Sequence, residues 1–288
     1  IAKQLQNAGV HVLGIKDMAG VCRPRAAELL VRTLKAETGM PVHFHAHDTS
    51  GIAAASVLAA IAGGADAVDG AMDALSGLTS QPNLNSIVMA LEGSESDPCG
   101  VDGSRQAAGV DTASSLYVPF ESDIRAGTAD VYRHEMPGGQ YTNLREQARA
   151  MGLDHRWDEV AGAYAAVNEL FGDIVKVTPT SKVVGDLAIF MVANDLSPED
   201  VLDPAREVAF PESVISLFKG ELGFPPDGFP AELSRKILKA EPPAKYRPGD
   251  QLPPVDMNEA RELANKAAGH KVSDAELASW LMYPKVFT

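Results

Sequence analysis

Residues 42–48 read Val42-His43-Phe44-His45-Ala46-His47-Asp48, alternating apolar and imidazole side chains with a period of two. An extended strand sorts such a pattern onto opposite faces. Val42, Phe44 and Ala46 then need cover from other elements, while His43, His45 and His47 share the other face. Two imidazoles two residues apart can converge on one divalent cation, because a neutral ring offers a nitrogen lone pair near pH 7. A partly polar strand face carrying three histidines and no metal satisfies the same pattern.

The flanking sequence sets this strand in a repeating order. Val12-Leu13-Gly14-Ile15 is an earlier apolar run that ends on Lys16 and Asp17. Helical spacing follows from about Pro24 to Glu37, with Ala26, Leu29, Leu30 and Leu34 recurring and Pro24 suited to a first turn. After the histidine strand come a helix near Ile52–Ala62, a strand at Ala65–Gly70 with Asp69 near its end, and a helix from about Leu84. Alternation with short connections predicts right-handed crossovers and a parallel sheet. Lys16, Asp17, His45, His47 and Asp69 all fall toward the carboxyl ends of their strands. Parallel α/β folds place their chemistry there, most consistently in the (β/α)8 barrel.

A formal charge of −14 argues against non-specific nucleic-acid or anionic-membrane binding. It leaves room for an anionic substrate where a metal and a few cations reverse the local field. Cys22 and Cys99 form neither a metal-type pair nor a disulfide framework, which predicts two reduced thiols in an intracellular protein; the expected location is cytoplasmic, or the mitochondrial matrix in a eukaryote. No apolar run approaches the ~18 residues of a membrane helix. Ile1, Leu5 and Ala8 read as the late part of an amphipathic helix that Gly9 stops, so the expectation is of a fragment beginning inside a larger βα array. Its three strands cannot close an eight-stranded barrel.

Past about Glu95 the pattern is mostly helical, broken by Pro and Gly. Ser94–Gly103 carries a loop composition. The sharpest interruption is Met136–Asn143, where Gly138 and Gly139 permit close backbone approach or positive φ and the polar run after them can line a cleft. Ser197, Pro198 and Asp200 predict a capped helix start, and Ser273 with Glu276 predicts a capping box. The Pro-rich stretch Glu241–Pro254 predicts a connector with a short helical tail beyond it. Thr178-Pro179-Thr180-Ser181-Lys182 precedes an apolar helix at Val183–Val192. Thr178 there is either a cap or part of a helix N-terminus that, with Lys182, attracts a carboxylate or ureido oxygen.

Five stretches, in order, resemble the carboxyltransferase domain of the pyruvate carboxylase family: Ile15–Gly20, His45–Gly51, Ser76–Pro82, His134–Asn143 and Val177–Lys182. The resemblance runs on to Phe287 and covers nearly the whole chain. It implies an α/β fold, a (β/α)8 TIM-type barrel of which this chain carries the last βα units, with a helical funnel at its mouth. The expected parts are 1–95 as the end of the barrel, 96–240 as the funnel, and 241–288 as connector and tail. The implied reaction is carboxyl transfer from carboxybiotin to pyruvate, giving oxaloacetate, with biotin carried on a separate domain. By resemblance Lys16 matches a carbamylated metal ligand, and His45 and His47 match two histidine ligands. Thr178 matches a threonine that shuttles a proton. Ser181, Lys182 and Gln140 match the substrate and biotin side.

A lysine ammonium has no lone pair for a metal, whereas its carbamate is an anionic oxygen donor. That set with two imidazoles suits Zn²⁺, and Mn²⁺ is also compatible. Such an ion can stabilise enolate-like charge on pyruvate as a methyl proton leaves. His43 is expected deeper on the face and unligated. The family's fourth ligand, an aspartate on the first strand, and its pyruvate-binding arginine have no matching position here. The expected partners are pyruvate, a biotinyl carrier domain and the missing front of the barrel, with a tetrameric parent and neither nucleic acid nor membrane; the fragment alone is expected to be inactive. Related biotin-dependent transcarboxylases or decarboxylases, aldolase-type lyases and a non-catalytic docking or assembly module are the alternatives. A carbamylated-lysine hydrolase fits less well, since His-x-His precedes the lysine there.

Overall fold

The computed structural model describes residues 1–97, 121–239, 243–246 and 248–287. Cys99, part of the predicted loop before Gly103, and Glu241 lie outside these residues. Residues 1–243 form one compact unit and residues 244–288 another.

The first unit opens with α1 (Ala2–Asn7), β1 (Leu13–Asp17), α2 (Pro24–Thr38), β2 (Val42–Ala46), α3 (Ala53–Ala62), β3 (Ala67–Val68) and α4 (Leu84–Leu91). The three strands are parallel in the order β1-β2-β3. The period-two pattern is realised on β2. Val42, Phe44 and Ala46 are wholly buried, and His43 and His45 are half-buried on the opposite face. The buried face packs with Ala27 and Val31 of α2 and with Ala53, Val57 and Ala60 of α3. Burying an apolar side chain of this size stabilises by about 1.5–3 kcal/mol, so a one-residue slip of β2 is strongly disfavoured. The third strand is shorter than the sequence predicts, because only Ala67 and Val68 make ladder bonds to β2.

A second apolar cluster holds the helical part together. After the short α5 (Val131–His134), it is built from α6 (Gly138–Ala150), α7 (Trp157–Leu170), α8 (Thr180–Ala193), α9 (Pro198–Leu202), α10 (Glu212–Lys219) and α11 (Ala231–Leu238). Tyr164, Leu144, Leu187 and Phe218 are at its centre. Ser197 caps α9 in a reciprocal box with Asp200, as its sequence predicts. The Gly138-Gly139 interruption is different from the expectation: the chain is helical from Gly138 onward. Glycine costs least at a helix start, where the first amides lack intrahelical partners in any case.

Residues 244–288 carry α12 (Pro248–Gln251), α13 (Met257–Ala268) and α14 (Asp274–Met282). Ala260, Ala264, Val272 and Leu277 form their own small core. Asp256 caps α13, and Ser273 with Glu276 forms the predicted capping box. The short helical tail is therefore a packed helical pair.

Candidate functional site

The strand ends bring the imidazoles together. Lys16 pairs with His45 across β1 and β2, so both point from the same face. The His45 and His47 rings lie 5.2 Å apart at 69°. His45 Nδ1 donates to Asp69 Oδ2 at 2.7 Å, and His47 Nδ1 donates to the Thr79 carbonyl at 2.6 Å. An acceptor at Nδ1 puts the neutral ring's lone pair on Nε2. Burial pushes the His47 pKa down, helped by the charges of His45 and Lys16 and opposed by the Thr79 bond and Asp17. His47 therefore stays neutral at pH 7. The Gln81 amide nitrogen sits 3.5 Å from its Nε2.

Lys16 is exposed, and its ammonium makes no hydrogen bond or ion pair among the described residues. Asp17 is engaged by its own loop, accepting from the Gly20, Val21 and Cys22 amides at 2.8–3.0 Å. Cys22 is a free thiol whose pKa is raised, first by burial and then by Asp17. Among the described residues no group of three or more His, Cys, Asp or Glu side chains could hold a metal.

A cleft of about 410 Å³ opens beside His47, lined by Met18, His47, Gln140, Thr178, Ser181 and Lys182. It draws together the end of the sheet, the start of α6 and the start of α8. Gly138 makes that approach possible. Its amide donates to the Met18 carbonyl at 2.8 Å. A Cβ there would stand 2.5 Å from the Thr79 carbonyl oxygen and 2.7 Å from His47 Nδ1. The close-approach reading of the glycine pair thus holds at Gly138, whereas Gly139 has open space. Gln140 is buried, and its amide nitrogen has no hydrogen-bond partner among the described residues. The missing side chain of Gly185 leaves room for it.

Pro179 occupies the N-cap of α8 and no side chain caps it, so the Thr180 hydroxyl, on the first helical residue, braces the preceding turn instead. It accepts from the Val177 amide at 3.2 Å and lies 2.6 Å from the carbonyls of Val175 and Val177. Thr178 is exposed, and its hydroxyl makes no hydrogen bond among the described residues. The Ser181 and Lys182 amides already donate to the Val177 and Pro179 carbonyls, so this helix start offers fewer free donors than its sequence suggests. Ser181 is buried at the cleft wall. The Lys182 ammonium lies 2.7 Å from Asp186 in an exposed pair one turn along. Sequence reasoning missed the bonds to Asp69 and Thr79. Ser76–Pro82 matched as a motif, but nothing in it announces which carbonyl reaches His47.

A polar cleft at the carboxyl ends of parallel strands, walled on one side by helices, defines an α/β domain of the type that carries chemistry at its strand ends. The chain belongs to the conserved carboxylase domain family, whose model matches residues 131–288, and an HMGL-like model matches residues 1–112. Pyruvate carboxylase of Staphylococcus aureus is 45% identical over 289 residues, covering 100% of this chain and 25% of that protein. The carboxyl transferase domain of Rhizobium etli pyruvate carboxylase, solved with pyruvate, superposes with a TM-score of 0.95 at 56% identity. That match covers 99% of this chain and 48% of the solved one. The complete multifunctional Rhizobium etli enzyme gives the same TM-score and identity, over 99% of this chain and 27% of that one. The chain thus spans about a quarter of the length of the curated relatives it matches.

Proposed function

We propose that this chain forms the closing βα units of a (β/α)8 barrel and a helical funnel over its mouth, and that its cleft takes part in carboxyl transfer from carboxybiotin to pyruvate. The division into residues 1–95, 96–240 and 241–288 follows that reading. The observation that carries it is the single cleft joining His47 to Gln140, Thr178, Ser181 and Lys182. Family membership and the solved relatives support the same reaction.

The residues present fit a divalent cation: two imidazoles keep Nε2 lone pairs, and an unpaired lysine flanks one of them. His45, His47 and carbamylated Lys16 would hold it. When bound, the ion supplies Lewis-acid stabilisation of the negative charge that develops on pyruvate as a methyl proton leaves.

The chain's own groups do the rest. The Thr178 hydroxyl can accept and donate, and no described neighbour occupies it, so it relays the proton from the pyruvate methyl to the biotin nitrogen that gives up the carboxyl group. The carbon freed of that proton takes the carboxyl group, and oxaloacetate and biotin result. Ser181, Gln140 and Lys182 line the side on which a biotinyl carrier domain presents its ring. In the holoenzyme, Thr178→Ala should lower carboxyl transfer by about 10²–10⁴-fold with an unchanged melt. Thr178→Ser should keep part of the activity. A Thr178→Ala enzyme with wild-type turnover would end this reading.

A further inference from the structure

The carboxylate of Asp69 is bonded to two histidines, and nothing in the proposed reaction uses it. Oδ2 accepts from His45 Nδ1 and Oδ1 accepts from His43 Nε2, both at 2.7 Å. Asp69 follows β3, and its amide donates to the Phe44 carbonyl at 3.1 Å. Since His43 pairs with Ala67 and Phe44 with Val68, the register brings Asp69 beside His45. Lys16 flanks His45 on the other side. Lys16, His45 and Asp69 therefore form one row across three strands.

We propose that Asp69 is the positioning residue of this site: it clamps His45 as the Nδ1–H tautomer with Nε2 turned toward a divalent cation, while His43 holds the far oxygen of the same carboxylate. The inference rests on the metal reading above. With both oxygens engaged by imidazoles, Asp69 acts through His45 and is not itself a ligand. The acidic partner also raises the donor strength of the ring. His47 has a different clamp, the backbone carbonyl of Thr79, which no side-chain substitution removes. Each neighbour of His45 in the row has a separate role, Lys16 supplying a ligand and Asp69 supplying orientation. The row also explains why a third histidine lies on the strand without joining the ligands.

Zn²⁺ titration of metal-stripped holoenzyme against a competing chelator tests this, beside a thermal melt of each metal-free variant. Asp69→Ala should weaken Zn²⁺ binding by about 10–100-fold, the usual effect of losing an outer-shell partner. Asp69→Asn keeps an acceptor of the same shape and loses the charge, so it should fall between wild type and Asp69→Ala. His43→Phe removes only the far bond and should weaken binding less than Asp69→Ala. This ordering, with melts that do not follow it, supports the clamp. Affinities within about twofold of wild type for Asp69→Asn and Asp69→Ala overturn it. So does an equal, complete loss of metal in both, which would make Asp69 a ligand. Wild-type enzyme that takes up no Zn²⁺ would remove the metal reading and this inference together, whereas the Thr178 result stands independently of either.

Discussion

The two walls of the cleft are built differently. At the strand ends the imidazoles are already held, His43 and His45 by the Asp69 carboxylate and His47 by the Thr79 backbone carbonyl, and Lys16 alone of the proposed ligands is unpaired among the described residues. On the helical wall Thr178 is exposed and unbonded among the described residues, and Lys182 is held only by a solvent-exposed pair. The imidazoles are oriented before any ligand arrives, whereas the helical wall keeps the Thr178 hydroxyl for what binds. The proposed reading, in which the site holds an ion and receives a carrier domain, fits this asymmetry.

The strongest way to break the contrast is at the fixed wall. His47→Ala should reduce carboxyl transfer by at least about 10²-fold, the scale on which a preorganised charge-stabilising group acts. Steady-state rates and metal content measured together check this, and a variant retaining both would make the strand end dispensable. Gly138→Ala comes next. Its Cβ has no room against the Thr79 carbonyl and His47, so overpacking should cost about 1–3 kcal/mol, and denaturant unfolding reads it directly. Gly139→Ala, facing open space, is the control and should be close to neutral.

His134 sharpens the comparison from outside the cleft. It is buried, stacks on Tyr141 and accepts from the Met136 amide at Nδ1. Burial lowers its pKa from 6.5 to about 4, with Lys176 adding to the fall and Asp130 and Glu135 opposing it. The unfolded chain therefore binds this proton first as pH falls. The stability tied to neutral His134 is complete above pH 6.5 and is lost as pH drops toward about 4, by up to about 3 kcal/mol. Urea midpoints of wild type and His134→Gln across that window should diverge at neutral pH and converge in acid. The smallest effect belongs to the loose wall: Lys182→Met should change stability by less than about 0.5 kcal/mol, since it breaks only an exposed pair one turn apart. Its effect should fall instead on the apparent KM for the biotin carrier.

What could be read in advance follows the same division. The β2 face, the α2 and α3 spans and the caps at Ser197 and Ser273 depend on residues within one or two turns of each other, so local pattern reveals them. The strand-end bonds link residues 24–32 positions apart and needed the sheet register to appear. The glycine pair announced a close backbone approach, which holds at Gly138, but not that a helix begins there and passes over His47. At α8 the expected capping hydroxyl is absent: Pro179 holds the N-cap position, the Thr180 hydroxyl bonds the turn before the helix, and Thr178 lines the cleft.

The bond from the Gly138 amide to the Met18 carbonyl has a mechanical consequence. Met18 lies two residues past Lys16, and Gln140 lies two residues past Gly138, so one peptide contact joins the sheet's reacting end to the helix that walls the cleft. It acts as a gauge block. The gap between the imidazole of His47 and α6 is set by backbone meeting backbone at Gly138, with no side chain between them to act as a spacer.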